Sequence, residues 1–364
     1  MCINKQKIIH AVTIAGSVGL FEPIMQELKD RGCQVIALSS AGPKLNELKS
    51  RGYKTISVHM ERRFSPINDI VSLFHLIKVF SKVKPDIVHS MTPKAGMLCM
   101  TAAWLTRVPR RVHTFTGLVW PTATGVTRRI LMMTDWLTCA CATHIIPEGN
   151  GVKQDLQTHI TNKPMKVLGY GNVRGVNLER FSKRSEIIKL ADSLRKDEVF
   201  TFIFVGRIVK DKGINELMYA FKHLNIEYPN TRLLLVGTFE EEIDPLSRES
   251  IQIIKDHPSV KYVGKQIGDN LVAYYAASDC FVFPSYREGF PNTVMEAGAM
   301  DLPCIVTDIN GSREIIIHGK NGVIIPSKDE YALYNKNQTD IICKKLSPNI
   351  TFYMISFIDV NNKN

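Results

Sequence analysis

Residues 200–224 read FTFIFVGRIVKDKGINELMYAFKHL. The first six, Phe200–Val205, form an unbroken apolar run rich in aromatic and β-branched side chains, as in a strand buried on both faces. Gly206 ends the run. From Ile214 to Leu224 apolar residues return at three- and four-residue spacing, the mark of an amphipathic helix. A buried strand that passes through glycine into a helix is one half of a βαβ unit.

The pattern repeats outward from this stretch. Toward the C-terminus, strand-like runs occur at Arg232–Val236, Val260–Val263, Cys280–Pro284, Cys304–Thr307 and Val323–Ile325. Toward the N-terminus they occur at Ile8–Ile14, Gln34–Leu38, Thr55–Val58, Asp86–His89, Arg111–Phe115 and His144–Pro147. Helical patterns such as Glu22–Arg31, Pro66–Val83, Val126–Ala142 and Val294–Met300 lie between them. Strict alternation of strand and helix predicts right-handed crossovers and parallel sheets covered on both faces. The expected fold class is therefore α/β, with two doubly wound Rossmann-like domains facing each other across a cleft. The polar segment from about Gly171 to Asp197 reads as the linker, which gives domains at 1–170 and 171–334. Ser327 with Glu330 suggests a capped final helix. Beyond Asn335 the periodicity dissolves, and 335–364 reads as an atypical tail, frameshifted or disordered.

Composition narrows the class further. The 364 residues carry a net charge of +11. Residues 1–180 hold 24 Lys and Arg against 11 Asp and Glu, while 181–364 hold 22 against 24. One half is strongly basic and the other is near neutral, unlike a uniformly basic nucleic-acid binder, so the halves are expected to meet different partners. The eight cysteines lack C-x-x-C spacing and read as buried small side chains in a reducing cytosol. The opening residues run directly into a strand-like stretch, so no secretory signal is expected. The best apolar stretch, Ile130–Ile146, is too short and too polar to span a bilayer, and reads as a buried helix.

In open α/β sheets, ligands bind beyond the carboxyl ends of the strands. After the first strand, Gly16 and Gly19 allow close backbone approach ahead of a helix. The loop is not G-x-G-x-x-G, and Ser39 and Ser40 stand where a dinucleotide site needs a carboxylate, which disfavours a nicotinamide enzyme. In the second half, Arg207 ends a buried strand and Lys212 opens the next helix, a pair suited to a diphosphate. Taken singly, each is compatible with a solvated surface cation. Farther on, Phe283 to Ala297 reads FPSYREGFPNTVMEA. Glu288 is an acceptor-only carboxylate suited to sugar hydroxyls. Gly289, Phe290, Asn292 and Thr293 lead into a helix start that suits phosphate. Glu296, one turn in, is placed for a ribose diol or, with Thr293, for a capping box.

Gly206-Arg207, Lys212-Gly213 and the E-x7-E element Glu288–Glu296 within EGFPNTVMEAGAMDLPCIVTD together resemble the retaining glycosyltransferases of family 4, which have the GT-B fold. The similarity runs from about Ile8 to Pro326, and is closest to bacterial enzymes of capsule, O-antigen and undecaprenyl-diphosphate-linked glycan assembly. The resemblance implies that Arg207 and Lys212 bind the donor diphosphate, that Glu288 contacts the donor sugar and Glu296 the ribose. It also implies that amides around Phe290–Thr293 hold phosphate, that Gly264 flanks the base, and that Gly16 lies under the donor. Relatives often carry His-Gly after the fifth strand, the His near the reacting centre; here Thr116 stands in its place as a substrate-binding candidate, and His113, three residues earlier, reads as a second candidate or as a satisfied strand histidine.

The expected reaction moves a hexose or N-acetylhexosamine from a UDP-sugar to a hydroxyl of a lipid-diphosphate-linked glycan, with retention. With no D-x-D or His/carboxylate cluster, neither metal nor other cofactor is expected. The basic half, with Arg107, Arg110, Arg111, Arg128 and Arg129 around Trp104, Phe115, Leu118, Val119 and Trp120, is expected at an anionic membrane. That places the protein in the cytoplasm, peripheral at the inner face of the membrane, with no nucleic-acid partner. Two other readings stay open: a sugar-nucleotide epimerase of the same architecture, and a nucleotide-binding protein inactive through its altered C-terminus.

Overall fold

A computed structural model describes residues 6–63, 65–242 and 244–334. The chain divides into two compact units, Met1–Arg174 and Gly175–Asn364. The tail expected at 335–364 lies outside the described residues.

Unit 1 contains six strands: β1 (Lys7–Ala11), β2 (Gln34–Ser39), β3 (Lys54–Ser57), β4 (Ile87–Ser90), β5 (Arg110–Phe115) and β6 (His144–Pro147). They form one parallel sheet in the order β3-β2-β1-β4-β5-β6. Alternation along β1 builds two cores. Ile8 and Val12 pack with Met25 and Leu48 of helices Glu22–Asp30 and Pro43–Ser50. Ile9 and Ala11 face Leu76, Cys99 and Cys139 of helices Pro66–Val83, Pro93–Leu105 and Gly125–Cys141.

Unit 2 repeats the plan with β7 (Phe200–Val205), β8 (Thr231–Val236), β9 (Val260–Gly264), β10 (Cys280–Phe283), β11 (Cys304–Thr307) and β12 (Gly322–Ile325). The order is β12-β11-β10-β7-β8-β9, again parallel. Phe204, Phe281 and Phe283 stack through the middle of this sheet. Each such side chain contributes roughly 1.5–3 kcal/mol by leaving water. In each sheet the first strand lies between neighbours reached in opposite directions, which creates a switch point at β1/β4 and at β7/β10.

All twelve expected strands are present, and three local expectations change. The first strand stops at Ala11, short of Ile14, because the Thr13 N–H turns aside to Thr92 Oγ1 at 2.9 Å and a 3-10 turn begins at Ala15. The polar segment 171–197 contains a helix, Ser185–Leu194, which buries Ile187 and Ala191 in the unit 2 core. The last described helix, Glu330–Tyr334, is capped by Asp329, whose Oδ1 accepts from Ala332 N–H at 2.8 Å, and not by Ser327. Cys33, Cys99, Cys139, Cys141, Cys280 and Cys304 are buried. Among the described residues, no helix is long and apolar enough to cross a membrane.

Candidate functional site

The carboxyl edge of the unit 2 sheet gathers most of the expected residues at the β7/β10 switch point. The loop after β7 runs beside the loop after β8: Gly206 N–H donates to Val236 O at 2.9 Å and Ile208 N–H to Thr238 O at 2.8 Å. This contact carries Arg207 to Glu240, where Nη1 and Oε2 are 2.9 Å apart. The same β7 loop ends in a 3-10 turn, Lys210–Lys212, whose last amides lead to Gly213 at φ +70°. A Cβ on Gly213 would stand 2.0 Å from the Pro284 carbonyl oxygen. Only glycine allows both that conformation and that approach of the β7 loop to the β10 loop.

Across that contact Lys212 forms an ion pair with Glu288, and its Nζ lies 5.5 Å from the Phe283 ring centroid. Ser285 is fully buried and donates its hydroxyl to Glu288 Oε1 at 2.9 Å. Arg287 pairs with Asp211 at 2.7 Å, and Tyr286 donates to Glu216 Oε1 at 2.5 Å. Burial, and then that acceptor, push the Tyr286 phenol above its ordinary range. The three cations Arg207, Lys212 and Arg287 each have a carboxylate partner here. This compensates the burial of charge, and an incoming diphosphate would have to replace those carboxylates.

The helix Asn292–Ala299 begins beside this cluster, with Pro291 as its cap and no capping side chain. Its first-turn amides therefore lack carbonyl partners within the helix. Gly289 and Phe290 are buried in the turn that precedes it. Thr293 is already helical, so Thr293 and Glu296 do not make a capping box. Instead Glu296 Oε2 accepts the hydroxyl of the fully buried Tyr275 at 3.2 Å. At the end of β9, Gly264 accepts from Gly237 N–H at 3.0 Å and has open space on its Cα side.

Unit 1 holds the other three expected residues. Gly16 is exposed in the 3-10 turn after β1, and a Cβ there would meet nothing within 4 Å. The loops after β1 and β4 are joined at this edge by Thr13 and Thr92, whose hydroxyls are 2.8 Å apart. Thr116, after β5, donates to Met91 O at 3.0 Å. His113 stands apart from that edge. It is 1% exposed, its Nδ1 is 2.7 Å from Ser90 Oγ, and its ring lies under Gly96, where a Cβ would come within 2.5 Å. Burial lowers its pKa to about 3. It is a neutral core group packed edge-on to Phe115.

The basic and aromatic cluster expected on unit 1 does not form one surface. Phe115, Leu118 and Trp120 are buried. Arg111 is tied down structurally, donating to Cys141 O and Val108 O. Of the expected aromatics, Trp104 is exposed.

Sequence reasoning did not find Glu240, Asp211, Arg287, Ser285 or Tyr275. Glu240 and Tyr275 reach the site from other loops and helices, so no spacing within the motif marks them. Asp211, Ser285 and Arg287 are inside the quoted motifs, but a buried hydroxyl or a pairing carboxylate has no periodic signature.

Comparison with known proteins places the chain in a family and matches its fold. The family model "Glycosyl transferases group 1" matches residues 186–342, and "Glycosyl transferase 4-like" matches residues 9–134. The chain is 33% identical over 338 residues to the capsular polysaccharide biosynthesis glycosyltransferase CapM of Staphylococcus aureus, covering 92% of this chain and 87% of that one. It is 30% identical over 277 residues to the Escherichia coli UDP-Gal:alpha-D-GlcNAc-diphosphoundecaprenol alpha-1,3-galactosyltransferase, covering 74% and 69%. Among solved structures, Anabaena HepE in complex with UDP and glucose superposes with a TM-score of 0.78 at 18% identity, covering 98% of both chains. WaaG, a glycosyltransferase involved in lipopolysaccharide biosynthesis, gives 0.70 at 15% identity, covering 100% and 96%.

Proposed function

The chain belongs to the group 1 glycosyl transferases and has the GT-B fold, and from that premise we propose that it transfers a hexose or N-acetylhexosamine from a UDP-sugar to a hydroxyl of a lipid-diphosphate-linked glycan. The observation that carries the reading is the convergence of Arg207, Lys212 and Glu288 at one sheet switch point. Two cations and a helix start there suit a diphosphate, with a carboxylate beside them for sugar hydroxyls. The named relative that acts on a diphosphoundecaprenol-linked sugar supports the acceptor class, and the neighbour holding UDP supports the donor.

In this scheme the bond from the anomeric carbon to the β-phosphate oxygen breaks while the acceptor oxygen bonds to the same face of that carbon. The acceptor proton passes to the departing diphosphate. Charge builds on the diphosphate, so Arg207, Lys212 and the first-turn amides at Asn292–Thr293 lower the barrier by stabilising it. The scheme includes no metal or other cofactor. Glu288 orients the sugar and Glu296 the ribose. A membrane-borne acceptor would place the protein at the cytoplasmic face of the bilayer.

The test is a panel of sugar nucleotides incubated with undecaprenyl-diphosphate-linked acceptors. Acceptor-dependent product whose formation is lost in Arg207→Ala and Lys212→Ala supports the reading. An altered free sugar nucleotide formed without acceptor would identify an epimerase instead.

A further inference from the structure

Unit 1 carries a groove of about 480 Å³ outside the residues assigned to transfer. It is lined by Glu22 and Pro23 at the start of the helix Glu22–Asp30, by Lys44 and Arg51 at the start and end of the helix Pro43–Ser50, and by Tyr53 and Arg174. Gly19, also in the lining, belongs to the same 3-10 turn as Gly16. The second helix is pressed against that turn: a Cβ on Gly42 would stand 2.7 Å from Ala15 Cβ. The groove therefore adjoins the carboxyl edge of the sheet, where open α/β sheets take their ligands.

Two of its cations are held at fixed positions. Glu22 bridges them: one carboxylate oxygen takes Arg51 and the other lies 3.4 Å from Lys44. Glu47 braces the same pair, at 2.8 Å from Lys44 and 3.7 Å from Arg51. Arg174 is placed differently. The Asn172 side chain accepts its backbone N–H at 2.9 Å, which anchors the chain at that point, while its guanidinium has no partner among the described residues. Three cations thus line the groove against one carboxylate, and the third is uncommitted. An unpaired guanidinium beside two fixed cations is a fork suited to an anionic oxygen pair.

The rest of the lining narrows the ligand. Cavities of roughly 300–1,000 Å³ take small molecules, and a bare phosphate would leave most of this one to water. No aromatic face is free for a nucleobase, because Tyr53 is 6% exposed and has Lys29 and Arg51 over its ring at 4.8 and 5.9 Å. Pro23 is the one exposed apolar side chain in the lining, too little to bury a lipid chain. It suits the C–H face of a sugar, whose hydroxyls a carboxylate such as Glu22 accepts. We propose that this groove binds a sugar that carries a phosphate or a carboxylate. Arg174 grips the anionic group, Lys44 adds its charge, and Glu22 accepts a hydroxyl. Two sources share that chemistry: an acidic residue of the acceptor glycan, and a free sugar phosphate. The site itself stands apart from the transferase reading, and its acceptor form rests on that reading.

Isothermal titration of the full chain with glucose 6-phosphate, glucuronate, glucose and inorganic phosphate tests this. The two anionic sugars are expected to bind, with glucose and phosphate weaker by about tenfold or more. Arg174→Gln removes a guanidinium that holds nothing in the fold, so circular dichroism and Tm should not change while affinity for both anionic sugars falls about tenfold. Lys44→Gln should act in the same direction, and UDP affinity should be unchanged in both variants. Glucose 6-phosphate bound no more tightly than phosphate would reduce the groove to a simple anion site and overturn the proposal. Anionic sugars that bind Arg174→Gln as tightly as wild type would overturn it too. So would a chain that binds UDP and neither anionic sugar, which leaves the transferase reading standing. Transfer assays then assign the source. A glucuronate residue in the acceptor that raises kcat/KM for wild type, but not for Arg174→Gln, supports the acceptor form. Free glucose 6-phosphate that alters transfer to a neutral acceptor, again only in wild type, supports the free sugar phosphate. A chain that binds anionic sugars but transfers nothing overturns the transferase reading alone.

Discussion

Lys212 and Glu288 are paired across the two loops that flank the unit 2 switch point, with side chains only 13% and 16% exposed. Ser285 holds the carboxylate from beneath at 2.9 Å. A lysine so placed has its charge fixed in position before any ligand arrives, the condition under which a cation acts most strongly on developing negative charge.

Lys212→Ala is therefore expected to lower kcat by about 10²–10³, the range for removing one preorganised donor. Glu288→Gln keeps the volume and removes the charge; it should lower kcat while UDP binding holds or tightens. Steady-state kinetics with isothermal titration of UDP separates the two. A Glu288→Gln variant that loses UDP binding and keeps kcat would contradict the role given to Glu288.

Arg207 and Glu240 lead to effects of opposite sign. Arg207→Ala removes a phosphate ligand and should weaken UDP binding, whereas Glu240→Gln removes the carboxylate that competes with phosphate for the guanidinium. With a charge-assisted bond exchanged for a neutral one, UDP should bind roughly fivefold more tightly to Glu240→Gln. Titration of UDP into both variants checks the sign, and weakening in both would show that Glu240 supports the site and does not compete for it.

Tyr275→Phe addresses the second carboxylate of the motif. Tyr275 is buried and hydrogen-bonds Glu296 at 3.2 Å, so loss of its hydroxyl removes one partner of Glu296 without touching the reacting atoms. The donor KM should rise several-fold with kcat nearly unchanged, the size of about one hydrogen bond. A 2′-deoxy donor should show no further loss in the variant if Glu296 acts through the ribose.

The architecture was legible because it rests on short-range signals. Phe200–Val205 and Ile214–Leu224 carry their periods in the sequence, and the strands lie where those periods place them. Ser185–Leu194 lies in a segment that reads as polar overall, and its apolar residues are split: Ile187, Ala191 and Leu194 meet the core while Ile188 and Leu190 are exposed. Glu240 illustrates the harder limit. Its meeting with Arg207 follows from β7 lying beside β8, a pairing 33 residues apart that no local pattern encodes. His113 shows the converse. Strand alternation alone did not reveal that its ring fits the space left by Gly96 one helix away.

Unit 1 should lose stability in mild acid. Burial lowers the pKa of His10 well below its usual value, that of His89 to about 4 and that of His113 to about 3. Each is held neutral when folded, so its contribution is complete above the unfolded pKa of about 6.5 and is lost as pH falls toward the folded value. Asp135, raised by burial to about 7, acts in the opposite direction over the same window. Three histidines against one carboxyl leave a net loss of stability as pH falls from about 6.5 toward 4. Hydrogen exchange corrected for intrinsic rates should show β1, β4 and β5 opening more readily at pH 5 than at pH 7. Equal protection at both would mean the histidines are solvated.

Gly213 and Gly16 separate a glycine required by the fold from one that the fold leaves unconstrained. Gly213→Ala forces a side chain into positive φ and onto the Pro284 carbonyl oxygen, so the β7 and β10 loops must part. Destabilisation of about 2 kcal/mol or more is expected, with Lys212 drawn away from Glu288 and turnover lost as a consequence. The Cβ of Gly16→Val meets no neighbour within 4 Å, and the exposed position should leave Tm nearly unchanged. If Gly16 lies under the donor, the added methyls occupy the space of the substrate, and turnover should still fall by about tenfold or more, chiefly through KM. Thermal unfolding beside steady-state kinetics decides it: a stable Gly16→Val with full activity would remove this turn from the donor site.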